Sequence, residues 1–314
     1  MAKLITIDDT SFLSNDSWKD SSITENQKYC KELESGNILF FPTVPFQFPQ
    51  DDLSFLLAQR QTGAANRKNI AYKPQADRIT NFVHSSPDQA AKLLEIMRNY
   101  SRNVTAFLKQ LLPPYAEKWK LDYASFRPFQ EKGRKLRTRA RNDLLHTDAF
   151  PTRPMHGNRI LRFFTNINPS ESRYWMTSNP FNELAEQFGG KDLPFPKGIS
   201  DSLSEKFLNA AKQAGRAIGL PIALRSPYDV FMLNLHNFMK ENASFQETCH
   251  KDYWEFPPNS CWMVYTDLVS HAATAGQYAL EQTFIVPPSG MVLPEKAPVN
   301  VLESLTGQKM ARTC

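Results

Sequence analysis

Leu144-Leu145-His146-Thr147-Asp148-Ala149-Phe150 places an imidazole and a carboxylate two residues apart. In an extended segment, side chains at i and i+2 point to the same face, a few ångströms from each other. Such a pair makes two-thirds of a facial triad for non-haem iron, which needs one further imidazole. The tripeptide alone equally fits a surface loop in which the two side chains hydrogen-bond. The origin of the third ligand decides between these readings.

Four downstream histidines compete for that place. His156 follows too closely, in a Pro/Gly-flanked loop. His236 lies in a helical pattern with Val230, Phe231 and Leu235, which suits a helix histidine better than a ligand. His250 sits in a polar Cys-His-Lys-Asp segment. His271 alone has the right surroundings. A turn and an apolar strand, Phe256-Pro-Pro-Asn-Ser-Cys-Trp-Met-Val-Tyr-Thr-Asp267, precede it. The small residues Ala272-Ala-Thr-Ala-Gly276 and a second strand, Gln277–Val286, follow. A jelly-roll barrel delivers a distal ligand in this way, so His146, Asp148 and His271 are the expected metal ligands.

Further out, Ser86 to Leu112 is the clearest helix. Ser86 is its N-cap, Pro87 suits the first turn, and Leu93, Met97, Tyr100, Val104, Phe107 and Leu111 form one apolar stripe. Pro113-Pro114 stops it. Asn37–Pro42 reads as a short buried strand, residues 60–85 as a long polar loop, and residues 1–36 as a polar arm. Strands are expected over Asp122–Phe129 and Arg159–Asn168. A helical insertion over about 180–245 follows. It comprises a helix after Asn179-Pro180, a second over Ser202–Ala217, and a third opened by the capping box Ser226-Pro-Tyr-Asp229. The pattern predicts an α+β chain built as one domain of 1–314. In it, 1–120 form an N-terminal arm and support helix, 121–288 a double-sheet core, and 289–314 a C-terminal tail.

Composition narrows the function classes. In 314 residues, 41% are hydrophobic and 22 are Phe, enough for a sizeable core and too many for a disordered chain. No apolar run approaches the roughly 18–20 residues that span a bilayer, and the N-terminus lacks an apolar signal core. Cys30, Cys249, Cys261 and Cys314 show no metal or pairing pattern. A reduced, cytoplasmic protein is therefore expected. The net charge of +5 is too small by itself to imply nucleic acid. Its distribution is more telling: Lys132, Arg134, Lys135, Arg137, Arg139 and Arg141 crowd six cations into ten residues just before His146. Aromatic residues are not interleaved, which argues against a nucleic-acid patch. A solvated loop and an approach path for an anionic substrate both remain open.

Four runs carry a resemblance. They are His146-Thr-Asp-Ala-Phe-Pro-Thr-Arg-Pro154, Arg159-Ile-Leu-Arg-Phe-Phe-Thr-Asn-Ile-Asn-Pro169, Ser226-Pro-Tyr-Asp-Val-Phe-Met-Leu-Asn-Leu-His236 and Phe256–Asp267. With His271, they resemble the iron(II)/2-oxoglutarate oxygenases on the double-stranded β-helix over roughly 121–288. Over most of the chain they resemble, more narrowly, the bacterial Kdo 3-hydroxylases. That similarity implies hydroxylation at carbon 3 of the 3-deoxy sugar acid Kdo in the lipopolysaccharide inner core, on Kdo-lipid A. Iron(II), 2-oxoglutarate and dioxygen are then the cofactor and cosubstrates, and succinate and CO2 are released. The implied partner is an anionic glycolipid, met by peripheral contact at the cytoplasmic membrane face.

The chain departs from the wider pattern at one point. Many oxygenases of this fold hold the far carboxylate of 2-oxoglutarate with an arginine about ten residues after the distal histidine, and here Glu281 and Gln282 occupy that region. Arg162 on the strand after the His-x-Asp segment is the first substitute, Arg127 the second. Asn166 is expected to share the face of Arg162, and Gln282 is counted with them. Arg134, Lys135, Arg137, Arg139, Arg141 and Arg153 are the expected contacts to the phosphates and carboxylates of the substrate. Two other functions compete: a 2-oxoglutarate oxygenase acting on a protein side chain or small metabolite, and a metal-free barrel that only binds an anionic glycolipid.

Overall fold

The computed structural model describes residues 2–8, 23–60, 69–83, 86–199 and 223–312. The expected helix over Ser202–Ala217 and Cys314 lie outside them. Among the described residues, eleven strands build two sheets. β1 (Leu4–Thr6), β2 (Ile38–Phe41), β3 (Ile70–Lys73), β4 (Arg78–Thr80), β5 (Lys120–Arg127), β6 (Arg159–Asn166), β9 (Ser260–Tyr265) and β11 (Ala279–Val286) form the large sheet, in the order β1-β2-β9-β6-β11-β5-β3-β4. β7 (Arg173–Pro180), β8 (Asp252–Phe256) and β10 (Val269–Ala275) form the small one, in the order β10-β7-β8. An isolated antiparallel bridge between His146 and His271 adds the His-x-Asp segment to the free side of β10. The central four strands of the large sheet thus face four extended segments. This is the double-stranded β-helix, with the His-x-Asp pair on its second segment and His271 on its seventh.

Alternation along β6 decides which side chains enter the barrel. Residues opposed across a ladder share a face. Arg162 opposes Thr283 and Val264, and Phe164 opposes Glu281 and Trp262, so these groups point inward. Phe163 points outward and opposes Gln282. The outer face is covered by α3 (Pro87–Leu111), which follows α1 (Ile23–Glu34) and α2 (Gln50–Leu57). The Ser86 side chain caps α3 by accepting from Gln89 N at 3.3 Å, and the predicted stripe is buried throughout. Phe107 meets Phe41 edge-on at 5.3 Å and Phe163 at 5.9 Å, and the Tyr100 hydroxyl lies 3.2 Å from Thr165 Oγ1. Pro113-Pro114 does end α3, but it also opens a further turn, α4 (Pro113–Ala116).

Between the sheets lies an aromatic layer. Phe164 stacks on Trp262 at 5.2 Å, Trp262 on Phe256 at 4.0 Å, and Trp175 stands edge-on to Phe164 and Trp262 at 4.8 and 5.5 Å. The insertion supplies α5 (Phe181–Phe188), α6 (Pro227–Glu241) and α7 (Ala243–Thr248). The capping box of α6 is complete, and its Asp229 carboxylate also accepts from Met155 N and His156 N, at 2.6 and 3.1 Å. One cap therefore fixes both the helix and the loop that follows the His-x-Asp segment.

Several expectations are corrected. Part of 60–85 is not loop: β3 and β4 form a hairpin on the edge of the large sheet, paired to β5. The polar arm contributes β1, which runs parallel to β2. The small residues after His271 belong to β10, and the turn comes only at Gly276. Gly276 has φ +114°, and a Cβ there would come within 2.9 Å of the Arg173 backbone. The C-terminal stretch contains α8 (Pro298–Thr306), which buries Pro298, Val299 and Leu302. Cys30, Cys249 and Cys261 are unpaired, and burial pushes the Cys30 thiol up to about 12.

Phe107→Ala removes a ring held between Phe41 and Phe163. It is expected to cost about 3–5 kcal/mol, read as a lower midpoint in chemical unfolding. A change within about 0.5 kcal/mol, the range of ordinary surface substitutions, would show that α3 does not anchor the sheet.

Candidate metal centre

His146, Asp148 and His271 each offer one ligand atom, and these atoms all lie within 4.8 Å of one another. The backbone brings them there. His146 N donates to His271 O at 3.1 Å and His271 N to His146 O at 2.9 Å, while Asp148 N donates to Thr266 O at 2.8 Å. From the insertion, the Gln246 amide repeats the pattern on Leu145: its Oε1 accepts from Leu145 N at 3.0 Å and its Nε2 donates to Leu145 O at 2.9 Å.

The imidazoles are set for metal binding. His146 Nδ1 lies 2.8 Å from Leu144 O and His271 Nδ1 lies 2.9 Å from Val269 O. A carbonyl only accepts, so each Nδ1 carries the proton and each Nε2 keeps its lone pair. Burial lowers the basicity of both rings and keeps them neutral, and for His146 the nearby Lys240 charge works in the same direction. Burial opposes ionisation of Asp148, but the Arg162 cation overcomes this and holds the carboxyl well below the usual range. Asp148 Oδ2 is buried with no hydrogen-bond partner, although Arg162 Nε lies 3.2 Å away. Two neutral imidazole nitrogens and a carboxylate oxygen left open fit the donor set of a mononuclear iron(II) site. Trp175 backs this set by stacking on His271 at 5.1 Å.

His236 is not in the clustered group of three, yet it lies beside the site. Its ring meets His146 edge-on at 5.0 Å, and its Nδ1 donates to Thr147 O at 2.7 Å. The helical pattern of α6 could not reveal this, because it says nothing of what the helix faces. Gln246 and Lys240 were missed for the same reason.

The other expected residues separate into groups. Arg162 and Arg127 both enter the barrel, and both hold Glu281, at 3.2 and 2.6 Å. Arg127 also lies 3.5 Å from Glu131, which pairs with Arg134 at 2.8 Å and Arg173 at 3.3 Å. With Asp148 of the triad, 3.2 Å from Arg162, the result is an enclosed chain of four guanidiniums and three carboxylates. Asn166 is corrected. Its Nδ2 already donates to the carbonyls of Glu171, Phe256 and Pro257 at 3.0–3.1 Å, and its Oδ1 accepts from Asn168 N. Gln282 is corrected too, since it lies on the outer face and donates to Asp122 O at 2.9 Å.

The basic run divides as well. Arg134 is an internal strut over Phe129, 3.8 Å from its centroid. Arg139 pairs with Glu241 and Arg141 with Asp143, both at 2.7 Å. Lys132, Lys135 and Arg137 are exposed and make no ion pair among the described residues. Arg153 pairs with Asp122 and lies over Tyr123 and Phe150, 4.1 and 4.3 Å from the centroids. Arg162 approaches the same Phe150 ring at 5.4 Å.

Alanine at His146, Asp148 or His271 is expected to abolish stoichiometric cobalt(II) binding, measured by absorption titration. His236→Ala is expected to keep the stoichiometry and to lower affinity by about 10–100-fold, the usual range for a lost outer partner of a metal site. Metal lost with His236 and retained without His271 would exclude His271 from the set.

The profile of the 3-deoxy-D-manno-oct-2-ulosonic acid (Kdo) hydroxylase family matches residues 17–309. No curated protein matches the chain. Among solved structures, the Kdo hydroxylase KdoO, a non-haem Fe(II) α-ketoglutarate-dependent dioxygenase, is similar in its complex with cobalt(II). The identity is 32%, with 98% of this chain and 97% of that chain covered and a TM-score of 0.80. The complex of KdoO with α-ketoglutarate and Fe(III) has the same identity and coverage and a TM-score of 0.79. With a buried His-Asp-His set on the second and seventh segments of its barrel, the chain belongs to the Kdo hydroxylase family.

Proposed function

We propose that this protein is an iron(II)- and 2-oxoglutarate-dependent dioxygenase that hydroxylates carbon 3 of Kdo on Kdo-lipid A. The observation that carries the proposal is the triad itself: two imidazoles with Nδ1 tied to backbone carbonyls, and a carboxylate that pairs with Arg162 through Oδ2 while its Oδ1 lies 3.7 Å from His146 Nε2. When bound, iron(II) with 2-oxoglutarate and dioxygen supplies the oxidising power that turns C–H into C–OH, with release of succinate and CO2.

The residues of the chain bind, orient and exclude water. His146, Asp148 and His271 hold the metal on one face and leave the other face open. Arg162 is our choice for the far carboxylate of 2-oxoglutarate, with Arg127 behind it. The Nε atoms of both are buried without hydrogen-bond partners, and so are Ser125 Oγ and the Trp175 indole nitrogen. Glu281, where many relatives of this fold carry an arginine, does not repel a dianion, because the two guanidiniums already neutralise it. The aromatic layer keeps water from the inner side of His271. The exposed Lys132, Lys135 and Arg137 are the cations offered to phosphates of a glycolipid. No described helix is long and apolar enough to cross a membrane. Contact with a membrane-embedded substrate is therefore peripheral in this proposal. Each basic residue is then worth roughly 1 kcal/mol near an anionic surface, screened within about 8 Å at physiological salt.

The decisive experiment incubates purified protein with iron(II), 2-oxoglutarate and Kdo-lipid A, and weighs the glycolipid by mass spectrometry. A gain of one oxygen matched by succinate supports the proposal. Succinate without the mass gain points to another acceptor, and neither product points to a barrel that only binds. Arg162→Ala is expected to raise the 2-oxoglutarate Michaelis constant about tenfold or more, since charge-assisted pairs are worth on the order of 1.5–3 kcal/mol. An unchanged constant would transfer the role to Arg127. Charge reversal at Lys132, Lys135 and Arg137 together is expected to slow turnover of the lipid-linked sugar far more than uncoupled decarboxylation, with added salt mimicking the variant. Equal loss of both would make the run a folding element.

A further inference from the structure

The insertion carries a cation that the chemistry described above leaves unused. Lys240 stands one turn beyond His236 on α6, on the side that meets the His-x-Asp segment. It is 5% exposed, and its only hydrogen bond among the described residues is from Nζ to Arg139 O at 3.2 Å. Lysine is almost never so buried without a counter-ion. An ammonium has three N–H donors, and two of these have no acceptor among the described residues. Burial draws the group down to about 8, and Asp148 and Asp143 pull the other way without bonding it. A buried, half-satisfied ammonium at the edge of a metal site is set to receive an anion.

Carboxylates come to this site on two molecules, one on the sugar acid and two on 2-oxoglutarate. The unpartnered Arg162 Nε, Arg127 Nε and Ser125 Oγ, which suit 2-oxoglutarate, lie on the inner face of the large sheet. Lys240 approaches from a helix outside the barrel, over the metal-binding segment. We propose that Lys240 is the specificity residue of this enzyme, its ammonium pairing with the C1 carboxylate of the sugar acid. The inference rests on the Kdo hydroxylase reading. Its chemical logic is short: in a 3-deoxy-2-ulosonic acid the carboxylate carbon is two bonds from C3. An anchor on that carboxylate fixes the reacting carbon with almost no lever arm, which is the requirement for orienting a single C–H bond.

The test compares Kdo-lipid A with the same glycolipid carrying carboxamides in place of its sugar carboxylates, for the wild type, Lys240→Gln and Lys240→Arg. The wild type is expected to prefer the acid at least tenfold in kcat/KM. Lys240→Gln is expected to lose at least tenfold on the acid, mostly through KM, and to bring the acid-to-amide ratio near one; Lys240→Arg restores the preference. A wild-type ratio near one overturns the inference without any variant, so a poorly folding glutamine variant does not shelter it. A Lys240→Gln enzyme that keeps the wild-type ratio overturns it too. So does a rise in the Michaelis constant of 2-oxoglutarate instead of that of the sugar, which would give the ammonium to the cosubstrate. A wild type that hydroxylates neither glycolipid while releasing succinate with another acceptor overturns the hydroxylase reading itself, and the inference with it.

Discussion

Two backbone hydrogen bonds exchanged between His146 and His271 hold the site together, and the remaining architecture makes them possible. They join segments far apart in sequence and set the spacing of two imidazoles before any metal arrives. β7 holds β10 in register, Thr266 holds Asp148, and Gln246 reaches from the insertion to hold Leu145. The side-chain chemistry then needs only small corrections, each made by a carbonyl on an Nδ1 proton. A constellation fixed by backbone on several independent elements is rigid in the way that metal chemistry requires.

Electrostatics follow from the same enclosure. Burying four guanidiniums with three carboxylates is costly unless each charge touches its opposite. The order Asp148, Arg162, Glu281, Arg127, Glu131 and Arg173 meets that condition by alternation. The chain still retains a surplus of positive charge. A dianionic cosubstrate and a divalent metal enter together without adding net charge, so the surplus is not worsened by loading. Glu281 thus serves as a spacer between two arginines, which explains how an acid can stand where an arginine is usual.

Much of this was legible in the sequence. Spacing gave the His146–Asp148 pair, surroundings selected His271 over His236, and the stripe on α3 and the capping box of α6 appeared as read. The failures share a cause. Arg173 and Thr177 on β7 point inward beside Trp175, and β8, Asp-Tyr-Trp-Glu-Phe, mixes charged with aromatic residues out of step, so neither strand shows the apolar rhythm that marks a strand. β3 and β4 are too short to carry a rhythm at all. Asn166 was rightly placed inside but wrongly employed, because the hairpin turns that use up its amide are invisible at the level of one strand. Gln282 fell to the parity of β11, where a single step changes the face. Lys240 and Gln246 needed knowledge of which helix lies over which loop, and local pattern does not contain it.

The distance in sequence between the two histidines bears on biogenesis. During synthesis the ribosome releases His146 and Asp148 long before His271, and β10 must still find β7. A nascent chain that has emerged only through the insertion has two of the three clustered residues and no means of closing the set. Non-local pairing of this kind forms slowly, because chain closure is lost entropy until the final contacts repay it. Translation products that end before β10 lack the means to assemble this three-residue cluster.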